Sequence, residues 1–149
     1  MLVDTVFPGG ADGLSERDRA DIARALGLHV DDDGSVVDDV CGQTLSPEVR
    51  FLDLDDDGTP EVVVDAGNTC TSGMAGTSVW LFVRDGGGRY RSNLGFPGMI
   101  AEVLSTRSLG FPDLLIGGPG FCFPVWRWDG REYAYLRSDP QAPGGCDNR

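Results

Sequence analysis

The sequence predicts a mainly β chain, a small antiparallel β-domain with two recognisable repeats and one N-terminal helix, on three observations. Gly58-Thr59-Pro60-Glu61-Val62-Val63-Val64 is echoed by Gly110-Phe111-Pro112-Asp113-Leu114-Leu115-Ile116, 52 positions later, and Cys70 and Cys122 keep that offset. Short β-branched and aromatic runs are separated by Asp-Gly and glycine-rich turns, and only one segment has the grammar of a helix. With 149 residues and 40% hydrophobic content the chain suits one domain, 1–149, and is too short for two.

The helix spans about Ser15 to Leu26. Ser15-Glu16-Arg17-Asp18 resembles a capping box, Ile22, Ala25 and Leu26 form an apolar stripe, and Gly27 supplies the stop. Asp31-Asp32-Asp33-Gly34 has contiguous acids with no oxygen pattern after them, so it reads as a hairpin turn. Strands follow over Ser35 to Val40 and Val49 to Leu54. Repeat one runs over about 51–93 and repeat two over about 103–137. In each, Val79-Trp80-Leu81-Phe82 or Val125-Trp126-Arg127-Trp128 leads to an Asp-Gly turn and a strand bearing Tyr90 or Tyr133. A two-residue Asp129-Gly130 turn sets Trp128 against Arg131, Arg127 against Glu132, Trp126 against Tyr133 and Pro124 against Tyr135. One face then carries Trp126, Trp128, Tyr133 and Tyr135, the composition of a small β core, with stacking on sugar rings as the alternative.

The strongest chemical signal lies inside repeat one. From Asp53 to Val64, carboxylates stand at loop positions 1, 3, 5 and 9 (Asp53, Asp55, Asp57, Glu61) with Gly58 at position 6, the spacing of a calcium loop. Position 12 is Val64 instead of a bidentate glutamate, and Pro60 precedes a β-branched run, so the loop enters a strand. Clustered carboxylates repel; a hard dication relieves them, and oxygen-only ligands favour Ca2+ over zinc or copper. The alternative is an ordinary Asp-Gly turn whose acids are solvated. Repeat two has Ser105, Arg107 and Leu109 where repeat one has Asp53, Asp55 and Asp57, so only the first copy is expected to bind. Cys70 precedes Val79 by nine positions whereas Cys122 precedes Val125 by three, which implies six extra residues within Thr71 to Ser78. That loop, with Ser72, Gly73, Met74, Gly76 and Thr77, reads as a recognition segment or as a neutral connection.

A net charge of −12 and a pI near 4.2 argue against nucleic acid and anionic membrane and suit a basic protein partner; solubility alone is the alternative. Cys41, Cys70, Cys122 and Cys146 form an even set that favours disulfides, with all three pairings open. No Cys-x-x-Cys spacing is present, and the single histidine, His29, cannot complete a zinc site. The expected compartment is periplasmic or secreted. Met1-Leu2-Val3-Asp4 lacks a charged, apolar leader, so either a signal peptide has been removed or the protein is cytoplasmic with reduced cysteines. No apolar run reaches membrane-spanning length. Catalysis is not expected: His29 sits in an acidic loop without a nucleophile motif, and the organised carboxylates are better explained by metal. Gly117-Gly118-Pro119-Gly120 is not a phosphate cradle, because no helix or P-loop lysine follows it.

The segment from Asp53 through Val64 resembles the calcium loop of FG-GAP and VCBS-type β-propeller repeats, where the loop joins a blade strand; the likeness covers about thirty residues per copy. A longer resemblance, from Ser15 onward, is to small periplasmic or secreted bacterial proteins with a helix, this calcium segment, a cysteine-containing glycine-rich loop and the stretch Gly117 to Trp128. Some proteins similar to these are immunity proteins that block peptidoglycan hydrolases delivered by type IV or type VI secretion. The resemblance implies a propeller-like fold and Ca2+ held by Asp53, Asp55, Asp57, the Thr59 carbonyl and Glu61. Ser72-Gly73 is similar to the Ser-Gly-x-x-Tyr loop of periplasmic lysozyme inhibitors, although no tyrosine follows Ala75. The expectation is therefore an inhibitor whose Ser72 to Thr77 loop plugs a lysozyme-like cleft of a basic hydrolase. The alternative is a calcium-dependent glycan-binding or adhesion module that uses the aromatic hairpin.

Overall fold

The computed structural model describes residues 2–7 and 14–147; of the start Met1-Leu2-Val3-Asp4, Met1 lies outside them. Helix α2, Glu16–Ala25, begins where the Ser15 hydroxyl accepts the Asp18 N–H (3.0 Å) and the Asp18 carboxylate accepts the Ser15 N–H (3.1 Å). This is the expected capping box, and Gly27 ends the helix in the left-handed region. Before it stands a helix the sequence reading lacks, α1, Leu2–Val6. Five residues do not hold a helix alone; Val6 and Phe7 are buried in one cluster with Ile22 and Leu26, and that packing supplies the stability.

Strands β1 (Leu28–Val30), β2 (Val36–Asp38) and β3 (Thr44–Leu45) form a small antiparallel sheet. The acidic run between the first two is the expected turn, closed by Asp31 N–H to the Ser35 carbonyl at 2.8 Å. Strand β2 stops before Val40 because the buried Asp38 carboxylate collects the N–H groups of Val40, Cys41, Gly42 and Gln43 and curls the chain.

The two repeats are two four-stranded sheets. Sheet one contains β4 (Glu48–Leu52), β5 (Glu61–Ala66), β6 (Ser78–Arg84) and β7 (Tyr90–Pro97); sheet two contains β8 (Met99–Ser108), β9 (Phe111–Gly117), β10 (Cys122–Trp128) and β11 (Tyr133–Pro140). Each is an antiparallel meander of sequence neighbours. The Tyr90 hydroxyl donates to the Pro60 carbonyl and the Tyr133 hydroxyl to the Pro112 carbonyl, both at 2.7 Å. One supersecondary unit has been built twice.

Sheet one is the middle layer. Val62, Val64 and Ala66 join the cluster formed with α2 and the small sheet, whereas Val63, Val79, Leu81 and Val83 pack against Leu114, Ile116 and Trp128 of sheet two. Burial on both faces explains why β5 reads as an unbroken apolar run. Among the described residues the three antiparallel sheets do not close into a barrel or a ring of blades.

Two expected registers are corrected. Val62 pairs with Phe82 and Leu114 with Trp126, so Phe82, and not Trp80, is the counterpart of Trp126, and the loop after β5 carries eight extra residues instead of six. In the last hairpin Trp128 faces Tyr133, Arg127 faces Ala134 and Trp126 faces Tyr135. The Asp129 carboxylate accepts the N–H groups of Arg131 and Glu132 and widens the turn. Because side chains alternate with period two, a slip of two residues keeps every aromatic on its expected face.

The cysteines pair as Cys41–Cys70 and Cys122–Cys146, which fits an oxidising compartment. Among the described residues no helix is long and apolar enough to cross a membrane.

Candidate functional site

The acidic loop joins β4 to β5 at one end of sheet one. Its shape is set by its own side chains: Asp53 accepts the N–H groups of Asp57 (3.1 Å) and Gly58 (2.9 Å), and Asp57 accepts that of Thr59 (2.8 Å). Gly58 takes the left-handed conformation that the turn requires. Glu61, only 4% exposed, accepts the Leu54 N–H at 2.7 Å. One carboxylate oxygen from each of Asp53, Asp55 and Glu61 lies within 4.8 Å of the others.

Of the expected ligands, these three converge. Asp57 stands beside Asp55 but outside the group of three, and half-buried Thr59 is held by its N–H. Burial pushes the Glu61 carboxyl up to about 7, and Asp55, Asp57 and Asp53 add to the shift against the Leu54 N–H. Burial and the adjacent Asp57 likewise raise Asp55, whose Oδ1 is buried without a hydrogen-bond partner. Hard oxygen donors, an orphaned oxygen and unrelieved negative charge fit a hard dication such as Ca2+.

Repeat two satisfies the same position from within the chain. Asp113, 52 residues after Glu61 and fully buried, takes Arg127 Nε at 3.0 Å and Nη2 at 2.8 Å, with the Thr106 hydroxyl at 2.6 Å. Arg127 beside it holds its carboxyl below the usual range. Arg107, the counterpart of Asp55, reaches across to the first copy, donating to the Leu54 carbonyl at 2.5 Å and lying 3.7 Å from Asp56. Sequence reasoning found the lost ligands here but not these contacts; the charge reversal from Asp55 to Arg107 was the available signal.

The eight-residue insertion leaves the far end of β5. Asn68 caps the single helical turn α3, Thr69–Ser72, and a 3-10 turn follows over Gly73–Ala75. Ser72 is 2% exposed, hydrogen-bonded to the Ser78 hydroxyl at 2.7 Å and packed where a Cβ on Gly67 would clash with it. It is therefore an internal brace, which corrects its expected role as a contact residue. Met74 is 90% exposed, Gly73 and Gly76 are exposed in left-handed conformations, and Thr77 is half-buried. The Cys41–Cys70 disulfide anchors this loop to the N-terminal layer.

In the aromatic hairpin Trp128 and Tyr133 are buried in the core, Trp126 is half-buried and Tyr135 is exposed. His29 lies on the surface, 2.6 Å from Asp39. Comparison with protein-family models, curated proteins and solved structures returns no match. Function is therefore argued from the chain's own chemistry.

Proposed function

We propose that this chain is a calcium-binding inhibitor, an immunity protein that blocks a peptidoglycan hydrolase outside the cytosol and performs no catalysis itself. The observation that carries the reading is the architecture of β5. It opens at Glu61 in the carboxylate cluster and closes at Ala66, where the exposed Met74 loop departs. Asp53, Asp55 and Glu61 would hold the ion, with Asp57 and the Thr59 carbonyl completing its shell. When bound, the ion supplies the positive charge these carboxylates lack. Asp53 and Asp57 then keep the turn closed, Glu61 pins Leu54, and the strand presents the loop with little freedom left to lose on binding. The loop occludes the hydrolase cleft through its backbone groups, Thr77 and Met74, while net charge speeds encounter with a basic enzyme. The propeller-like stacking of two blade-like meanders belongs to this reading, as do the two disulfides of a periplasmic or secreted protein.

The glycan-module alternative finds less support, because burial removes Trp128 and Tyr133 from any sugar-stacking face. The test is muramidase and amidase turnover with the purified protein, in calcium and in chelator, with Met74→Ser alongside. Inhibition weakened by chelator and by Met74→Ser supports the reading; undiminished turnover across a panel that includes the product of any adjacent hydrolase gene ends it.

A further inference from the structure

The end of the molecule that carries the Met74 loop has three adjoining depressions. The first, about 420 Å³, is walled by Glu48, Asp65, Thr77 and Met99. The second, about 330 Å³, shares Thr77 and Met99 and adds Met74, Pro119 and Phe123. The third, about 290 Å³, shares Pro119 and Phe123 and reaches Phe96 and Trp126 at the mouth of the space between the sheets. Met74 is 90% exposed and Met99 50%. Large apolar side chains gathered this way mark an interaction surface.

Its polar groups are as telling. Glu48 and Asp65 are cross-strand neighbours, and the guanidinium of Arg50 lies 3.1 Å from Asp65 Oδ2. Asp65 Oδ1 lies buried without a partner, as does Trp126 Nε1 at the other end of the series. Neither atom gives up a hydrogen bond on meeting a ligand group. The surface is braced on both sides, by Cys41–Cys70 under the loop and by Cys122–Cys146 at the groove wall.

We propose that this face docks an exposed segment of a basic protein, in which a Lys or Arg seats against Glu48 and Asp65 and a neighbouring large apolar side chain fills the space between Met74, Met99 and Phe123. Charge complementarity selects this occupant: the chain carries −12 overall, and the polar end of the face holds two carboxylates against one guanidinium. Apolar side chains in the partner replace water over the methionines, whose flexible thioethers adapt to more than one shape. The proposal takes from the inhibitor reading only that the partner is a basic protein.

The test is selection of a random nine-residue displayed peptide library against the immobilised full-length protein. Enriched peptides are expected to carry Lys or Arg within three positions of a large apolar residue. Their binding is expected to weaken about tenfold in Met74→Ser and in the double variant Glu48→Gln, Asp65→Asn, the loss typical of one charged hydrogen bond or one buried side chain. Leu109→Asn, at the opposite end and compatible with the left-handed backbone there, should bind as wild type. No enrichment, enrichment without a cation, or binding indifferent to both face variants overturns the proposal. The two readings fail separately. Peptide binding without hydrolase inhibition leaves the docking face and removes the inhibitor, whereas inhibition weakened by Met74→Ser but untouched by Glu48→Gln, Asp65→Asn, with no cation-bearing peptide enriched, does the reverse.

Discussion

Glu61→Gln, studied without metal, measures how much unrelieved charge the loop stores. The carboxylate oxygens of Asp53, Asp55 and Glu61 lie within 4.8 Å of one another. At that separation and an effective dielectric of about 20, each pair repels by roughly 3.5 kcal/mol, and Glu61 takes part in two of the three pairs. Water around exposed Asp53 screens part of this, and proton uptake limits the remainder. Burial, reinforced by the neighbouring acids, pushes Glu61 from 4.5 up to about 7, which is equivalent to about 3 kcal/mol. Because the folded-state value is the raised one, the folded chain keeps a proton that the unfolded chain releases. Metal-free stability is therefore full below pH 4.5, declines by about 3 kcal/mol as pH rises to about 7, and stays low above it. Glutamine keeps an oxygen for the Leu54 N–H and sheds the charge, so in chelator at pH 7.5 the variant should be about 1–3 kcal/mol more stable than wild type, with a flat profile between pH 4.5 and 7.5. In calcium the gap should close or reverse: wild type gains about 2.7 kcal/mol at a hundred times its Kd, and the variant gains little. Urea denaturation followed by tryptophan fluorescence reads all four conditions. Superimposable pH profiles in chelator, with equal responses to calcium, would refute the reasoning.

Arg127→Ala should destabilise by about 3–5 kcal/mol in the same urea assay, since it strands the fully buried Asp113 carboxylate, and Arg127→Lys should recover only part because the bidentate geometry is lost. Arg127 depresses the folded-state value of Asp113, so that pair's contribution is present above about pH 4 and lost as pH falls through the depressed value; acid titration by circular dichroism should show Asp113→Asn losing this part of the transition. Tyr90→Phe and Tyr133→Phe should each cost about 1 kcal/mol, and by similar amounts, because both hydroxyls make the same bond to a repeat-equivalent proline carbonyl. Reduction should lower stability by about 3.5 kcal/mol per disulfide, from separations of 29 and 24 residues, measured by melting with and without reductant.

What was legible in the sequence was local. The Ser15 box, the Asp31 to Gly34 turn and the two copies each follow from residues close in the chain, and each stands in the structure within a residue or two. The misreadings share a different cause. Asp38 and Asp129 use their carboxylates to gather backbone N–H groups, one ending a strand early and the other shifting a hairpin by two, and identical letters permit a tighter turn. Ser72 looked like a contact residue because its sequence neighbours are small and polar. Only the close approach of Gly67 and the hydroxyl of Ser78 reveal it as buried. Helix α1 exists through long-range burial, which no local pattern encodes.

The two repeats also differ on one matched face. By strand pairing, Val79, Leu81 and Val83 of sheet one correspond to Phe123, Val125 and Arg127 of sheet two. In sheet one those three positions are covered by sheet two and all are apolar. Among the described residues no sheet covers the matching face of sheet two, and the third position there is a guanidinium with 39% of its side chain exposed and its charged end on Asp113. The substitution puts a partly hydrated ion pair on this face of sheet two. It also accounts for the opposite fates of one carboxylate position. Asp113 faces outward, where an arginine can reach it from solvent. Glu61 faces the interior, with Val83 standing where repeat two has Arg127 and Leu54 where it has Thr106. Among the described residues no side chain offers Glu61 the counter-charge that Arg127 gives Asp113, so the open side of the loop, lined by Asp53 and Asp55, is where a cation from solution can take that part.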